Sequence, residues 1–360
     1  MSTAPRTLSD LYLPDWSISD PPMQLREFGG QKIYKLPSPP PSPLHLHAFL
    51  GTDESCIIRL HDPKVSRKHA RLLYDDARWG VLDVDSRNGM KIDGHRQSVG
   101  HLGSGAELEV GETTLIAESP RLVELREYLS RLLGWARERA HTVDVALRTL
   151  RLAQLRRTPL VLRGAGNLTT IAQDLHRRVF EEETPFVVCA PYRGTVAENL
   201  SVAETLAMGL AALRAARRGT LCVCASEVPA DYLKLTEILR DSRVLVQVIV
   251  CDNAPTSARV LDGAITIPLP VDRGEELPRL VEEYCEDAAA AFDTSSPDIA
   301  THRMWILRYA ADTVPEIAMS AYRLAALRMC GTVNAAATAL GMKSAELQRW
   351  LDIKSAPMLH

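Results

Sequence analysis

The chain has 360 residues, with 42 Lys and Arg against 45 Asp and Glu, a net charge of −3, and 46% hydrophobic and 24% charged residues. That length exceeds one ordinary core and predicts two or three domains. The charge balance excludes a global attraction to nucleic acid or to a membrane surface, so any DNA contact must be local.

There is no basic-then-apolar leader and no run near the roughly 20 apolar residues a membrane helix needs, so a cytoplasmic protein without a membrane partner is expected. The seven cysteines, Cys56, Cys189, Cys222, Cys224, Cys251, Cys285 and Cys330, sit mostly in apolar runs such as FVVCA and LCVCA and read as small buried hydrophobes. Cys222 and Cys224 are not expected to share a metal ion, and no metal site is expected.

In chain order, residues 1–26 are rich in Ser, Pro and Asp and read as a mobile segment. Residues 27–118 carry short alternating apolar runs broken by turn residues, the pattern of a β-sandwich of about a hundred residues. The proline run from Pro37 to Pro43 reads as a loop between two of its strands. Residues 119–157 have apolar residues three and four apart and predict a helical linker whose arginines, interleaved with glutamates, form a solvated face. Strand-like and helical runs then alternate through an α/β domain with a largely parallel sheet and a helical lid, residues 158–314, before an all-α unit over 315–360.

Within the sandwich, Gly51 is followed by Ser66-Arg67-Lys68-His69 and then Ser86-Arg87-Asn88-Gly89. A phosphothreonine dianion needs several donors converging from loops at one end of a rigid scaffold: here a Ser66 hydroxyl, an Arg67 fork and an Asn88 amide. The segment resembles the forkhead-associated (FHA) family in its strand spacing and in these motifs. The resemblance implies that Ser66, Arg67 and Asn88 contact a phosphothreonine-containing partner, Asn88 through the peptide backbone, while His69 and Gly89 are structural. Thr52 stands where the family has an arginine after Gly51, with Lys64 or Lys68 as candidate replacements. Asn88-Gly89 taken alone is a hairpin turn, and a purely structural sandwich remains the alternative.

The segments that follow, from SPRLVELREYLSRL through PLVLRGAGNLTT to PLPVDRGEELPRLVEEY, resemble in order the AAA+ module of NtrC-type enhancer-binding activators of sigma-54. A working phosphate loop wraps a phosphate in backbone N–H groups and adds a lysine. Here Gly164, Gly166 and Leu168 occupy that place without a lysine, and Cys224 and Ala225 stand where a paired acid would hold Mg²⁺. The sigma-contacting loop and the usual sensor segment before the C-terminal unit are absent. Asn253 fits the sensor asparagine, or a turn after a strand. The implied domain is a pseudo-ATPase, not an enzyme, with no cofactor; nucleotide binding without hydrolysis stays open.

The last helices resemble the Fis-type helix-turn-helix of the same activators, carried by Gly331, Asn334, Ala335, Ala336, Leu340, Gly341, Met342, Leu347 and Leu351. Ala335, Ala336 and Ala339 are expected at a close helix contact, Gly341 in the tight turn, and Lys343, Ser344, Gln348 and Arg349 toward DNA. Together the parts imply a phosphothreonine-dependent, DNA-binding transcriptional regulator acting as a homo-oligomer. An ATP-dependent sigma-54 activator and a phosphopeptide adaptor without DNA binding are the alternatives.

Overall fold

The structure is a computed structural model that describes residues 18–38, 48–75, 77–180, 183–190, 204–239, 241, 244–253, 264–293 and 296–354. Most of the predicted N-terminal segment, most of the proline run, the stretch in place of the sigma-contacting loop up to residue 203, and residues 355–360 lie outside these. The chain divides into two compact units, residues 1–130 with 136–155, and residues 131–135 with 156–360.

The first unit contains two packed sheets. Its strands are β1 (Gln24–Glu27), β2 (Ile33–Lys35), β3 (Phe49–Gly51), β4 (Ile58–Arg59), β5 (Ala70–Asp75), β6 (Arg78–Asp83), β7 (Met90–Ile92), β8 (His95–Gln97), β9 (Val99–His101), β10 (Glu107–Val110) and β11 (Thr113–Glu118). One sheet runs β2-β1-β11-β10-β7-β8 and the other β4-β3-β5-β6-β9. Alternation explains the strands: in β10, Leu108 and Val110 are buried while Glu107 and Glu109 between them are not. Leu25, Leu108 and Leu115 of one sheet join Leu50, Leu72 and Val81 of the other in a single core.

Two sequence boundaries shift. The sheet starts at Gln24, three residues before position 27, because β1 pairs along its whole length with β11. The helices of residues 119–157 are α1 (Pro120–Leu133) and α2 (Ala140–Arg156), and α2 is no solvated linker. Its Asp144 receives Arg26 Nη1 and Nη2 at 2.9 and 2.5 Å and the Gly29 amide at 2.7 Å. Arg148 forks onto Glu107, both contacts at 2.6 Å, and Arg151 onto Asp93 at 2.7 and 2.9 Å. Two of the arginines predicted to face solvent, Arg148 and Arg151, are thus bound bidentately to sandwich carboxylates, while Arg137 and Arg139 are exposed.

In the second unit, β12 (Leu160–Arg163), α3 (Leu168–Val179), β13 (Phe186–Cys189), β14 (Glu204–Leu206), α4 (Gly209–Ala215), β15 (Thr220–Cys224), α5 (Tyr232–Leu239), β16 (Gln247–Asp252) and β17 (Ala264–Thr266) form an α/β domain. All pairings in its sheet are parallel, in the order β14-β13-β15-β16-β12-β17. The strands read as near-continuous apolar runs because helices cover both faces of such a sheet.

Then follow α6 (Leu277–Phe292), α7 (Ser296–Tyr309), α8 (Val314–Cys330), α9 (Val333–Ala339) and α10 (Ser344–Lys354). Thr313 caps α8 by accepting the Glu316 amide, Pro315 sits in its first turn, and Gly331 ends it at φ +67°. Phe292 of α6 meets Tyr322 of α8 edge-on, and Trp305 of α7 meets Trp350 of α10. The C-terminal helices are therefore packed onto α6 and α7, with no break at the expected boundary of 315. Among the described residues, no helix is long and apolar enough to cross a membrane.

Candidate functional site

Three loops at one end of the sandwich are tied together by their backbones. Thr52 and Asp53 donate their amides to the carbonyls of Ser66 and Arg67 at 3.2 and 3.0 Å. A Cβ at Gly51 would meet the Arg67 carbonyl at 2.1 Å, so this approach admits only glycine. The role of Gly51 is to let two loops touch.

His69 is fully buried and bolts the second loop to the third: its Nδ1 accepts the Ser66 amide at 3.2 Å, which leaves Nε2 to donate to the Gly89 carbonyl at 3.0 Å. In the third loop, Arg87 donates its amide to Ser66 Oγ at 3.1 Å and Asn88 donates Nδ2 to the Lys64 carbonyl at 2.7 Å. Gly89, at φ +70°, gives its amide to Ser86 Oγ at 2.9 Å.

The chemistry follows from what these bonds leave over. Ser66 Oγ already accepts the Arg87 amide, so its proton is free to point at another acceptor. Arg67 and Arg87 are exposed, and neither guanidinium is hydrogen-bonded to a carboxylate among the described residues. Arg87 is missing from the residues picked out by sequence, although its position inside the third motif was a usable signal.

The two candidate substitutes for the missing arginine are differently placed. Lys64 is paired with Glu112 at 2.6 Å, and that hydrogen bond raises its pKa. Lys68 holds its ammonium 4.8 Å from the Phe49 ring centre. Asp53, kept below the usual carboxylate range by the amide and hydroxyl of Ser55 and then by Lys68 and Arg67, stays ionised beside the loops.

In the α/β domain, the turn between β12 and α3 opens on a cleft of about 350 Å³ lined by Gly166, Asn167, Leu168, Thr169, Cys224, Ser226, Glu227, Cys251 and Asn253. None of these is a cation. Arg163, just before the turn, is buried and bonded to Asp252 at 3.0 and 3.1 Å. The turn also fills its own polar positions: Asn167 accepts the Thr169 amide at 3.2 Å to cap α3, and Asn253 donates to the Gly166 carbonyl at 2.5 Å. Gly164 and Leu168 flank this turn, and Cys224 lines the cleft while Ala225 is exposed beyond it. Glu227, two residues past the position where an acid was sought, lines the cleft and was missed by sequence.

At the C-terminus, α9 and α10 are joined by a turn with Gly341 at φ +65°. Leu340, Met342, Leu347 and Leu351 are buried, joined by Trp350. The close contact is made by Ala336 and Ala337; Ala335 and Ala339 are exposed, one helical position away from the predicted face. Lys343, Gln348 and Arg349 are exposed and Ser344 half-buried. Gln348 donates to Asp352 at 2.9 Å, and Glu346 lies on the same helix, so α10 offers little net positive charge.

The family model for the FHA domain matches residues 49–111, and the chain carries an FHA domain there. Solved structures similar to the chain include the FHA-1 domain of Rv1747 from Mycobacterium tuberculosis, at 23% identity over 28% of this chain and 99% of that one, with a TM-score of 0.22. The FHA domain of CT664 from Chlamydia trachomatis is 21% identical over 27% and 95%, with a TM-score of 0.24. EmbR of Mycobacterium tuberculosis, in complex with a low-affinity phosphopeptide, is 20% identical over 26% of this chain and 24% of that one, with a TM-score of 0.24. No curated protein matches the chain.

Proposed function

We propose that the chain is a phosphothreonine-reading regulator whose FHA domain binds a phosphorylated partner protein through Ser66, Arg67, Arg87 and Asn88. The observation that carries this reading is the hydrogen bond from the Arg87 amide to Ser66 Oγ, which leaves the Ser66 proton for another acceptor on loops that also present the exposed Arg67 and Arg87. A dianionic phosphate is the ligand that such donors suit, because charge-assisted bonds are roughly twice as strong as neutral ones. The full-length protein, probed with matched phosphothreonine, phosphoserine and unmodified peptides, is expected to retain the phosphothreonine peptides. Equal retention of all three would overturn the reading.

The α/β domain, on this reading, is an AAA+-like scaffold that turns over no ATP. In support, the sheet order brings the β12–α3 turn beside the ends of β16 and β15, where a phosphate loop, a sensor and an acid would converge, yet the cleft lining has one carboxylate and no cation. Loss of charge neutralisation removes a term on which phosphoryl transfer depends. Purified protein is expected to hydrolyse ATP no faster than buffer; turnover near one per second, about a median enzyme rate within a factor of ten, would instead favour the sigma-54 activator.

The α9–α10 pair is the DNA-contacting element, with Lys343 and Arg349 as its exposed cations and homo-oligomers supplying a second copy. Arg349→Ala is expected to weaken the mobility shift of genomic fragments at low salt. Absence of any shift by the wild-type chain would leave the adaptor as the better description.

A further inference from the structure

Beyond the loops themselves, β8 carries a further cation next to the third loop. Arg96 lies against Gly89: a Cβ at position 89 would meet Arg96 Nη2 at 2.7 Å and Cζ at 3.1 Å. Its guanidinium therefore sits beside Asn88. It is exposed, and no carboxylate among the described residues is hydrogen-bonded to it.

The strand pairing adds a second, independent feature. Arg96 stands directly opposite Lys91 across β7 and β8, and both are exposed. Like charges directly opposite one another destabilise a sheet. Lys91 has its own counter-ion in Glu109 at 2.9 Å; Arg96 has none among the described residues. A cation held without a counter-ion, over the glycine that follows Asn88, fits an anion delivered by whatever Asn88 holds.

We propose that Arg96 is a specificity-determining residue that pairs with a carboxylate of the bound peptide, so that the partner is a phosphothreonine segment with an acidic side chain close by. This rests on the phosphothreonine reading above. An extended peptide advances about 3.3–3.6 Å per residue, so the acid lies within about three residues of the phosphothreonine.

The test uses the full chain and fluorescently labelled phosphothreonine peptides with an otherwise all-alanine sequence, into which one aspartate is placed at each position within about four residues of the phosphothreonine. One position is expected to bind about fivefold tighter than the all-alanine peptide, the size of a partly exposed ion pair, and this ratio should shrink as salt is added. In Arg96→Ala the ratio falls to about one, and in Arg96→Glu the same position comes to favour lysine over aspartate, about fivefold again. Unchanged melting temperatures establish that both variants fold. If the all-alanine phosphothreonine peptide binds but no aspartate helps, or the ratio survives in Arg96→Ala, the role of Arg96 is wrong and the phosphothreonine reading stands. If the wild-type chain binds none of the phosphopeptides, both fail together.

Discussion

Arg26→Ala is expected to destabilise the sandwich unit by about 3–5 kcal/mol, the range for removing one partner of a buried ion network. The Arg26 side chain is 2% exposed and lies between Glu118, 0% exposed, and Asp144, 1% exposed. Its removal leaves Asp144 buried without its ion-paired cation, and Glu118 with only Arg126 Nε at 3.2 Å and the Gln24 amide at 2.8 Å. Burial alone would lower the pKa of Arg26, and the two acids more than offset this and raise it. Denaturant unfolding of the full chain, followed by hydrogen exchange at the amides of β1, β11 and α2, checks the value. A loss below about 1 kcal/mol would show that water enters the site and rehydrates the acids. The same network predicts that a fragment stopped at residue 118 unfolds, whereas one extended through α2 does not.

Arg67→Ala is expected to cost about 2 kcal/mol of phosphothreonine-peptide affinity, close to a thirtyfold rise in Kd. Lys64→Ala should change it little, because Glu112 already holds that ammonium. Titration calorimetry of the two variants with one peptide separates them. Equal losses would mean that Lys64 leaves Glu112 for the phosphate.

The sequence made the sandwich legible because its inward and outward residues alternate, and made the loops legible because Gly51, His69, Asn88 and Gly89 have local jobs that few other residues can do. The docking of α2 was not legible. The only acid within α2 is Asp144, and the partners of Arg148 and Arg151, Glu107 and Asp93, are more than forty residues away in the chain. Helical spacing marks which residues share a face without marking what that face meets. For the same reason the sequence does not single out Ala337 over Ala335 and Ala339, since several faces of an alanine-rich helix look alike. Arg96 was invisible for another reason: its closeness to Gly89 comes from a hairpin return, and nothing in a Gly-His-Arg-Gln string announces it.

The turn between β12 and α3 has a further consequence through Thr313. A side chain at Gly166, where φ is +86°, would meet Thr313 Oγ1 at 2.5 Å, and that same oxygen accepts the Glu316 amide to start α8. One threonine thus both packs against the turn and caps the C-terminal helices. The two regions share a mechanical joint: any change that swells or shifts the turn presses on the cap of α8, and fraying of α8 loosens the turn. Substitutions at Gly166 will therefore report on the order of α8 as well as on the cleft, and Thr313→Val, which removes the capping oxygen but keeps the bulk, separates the two effects.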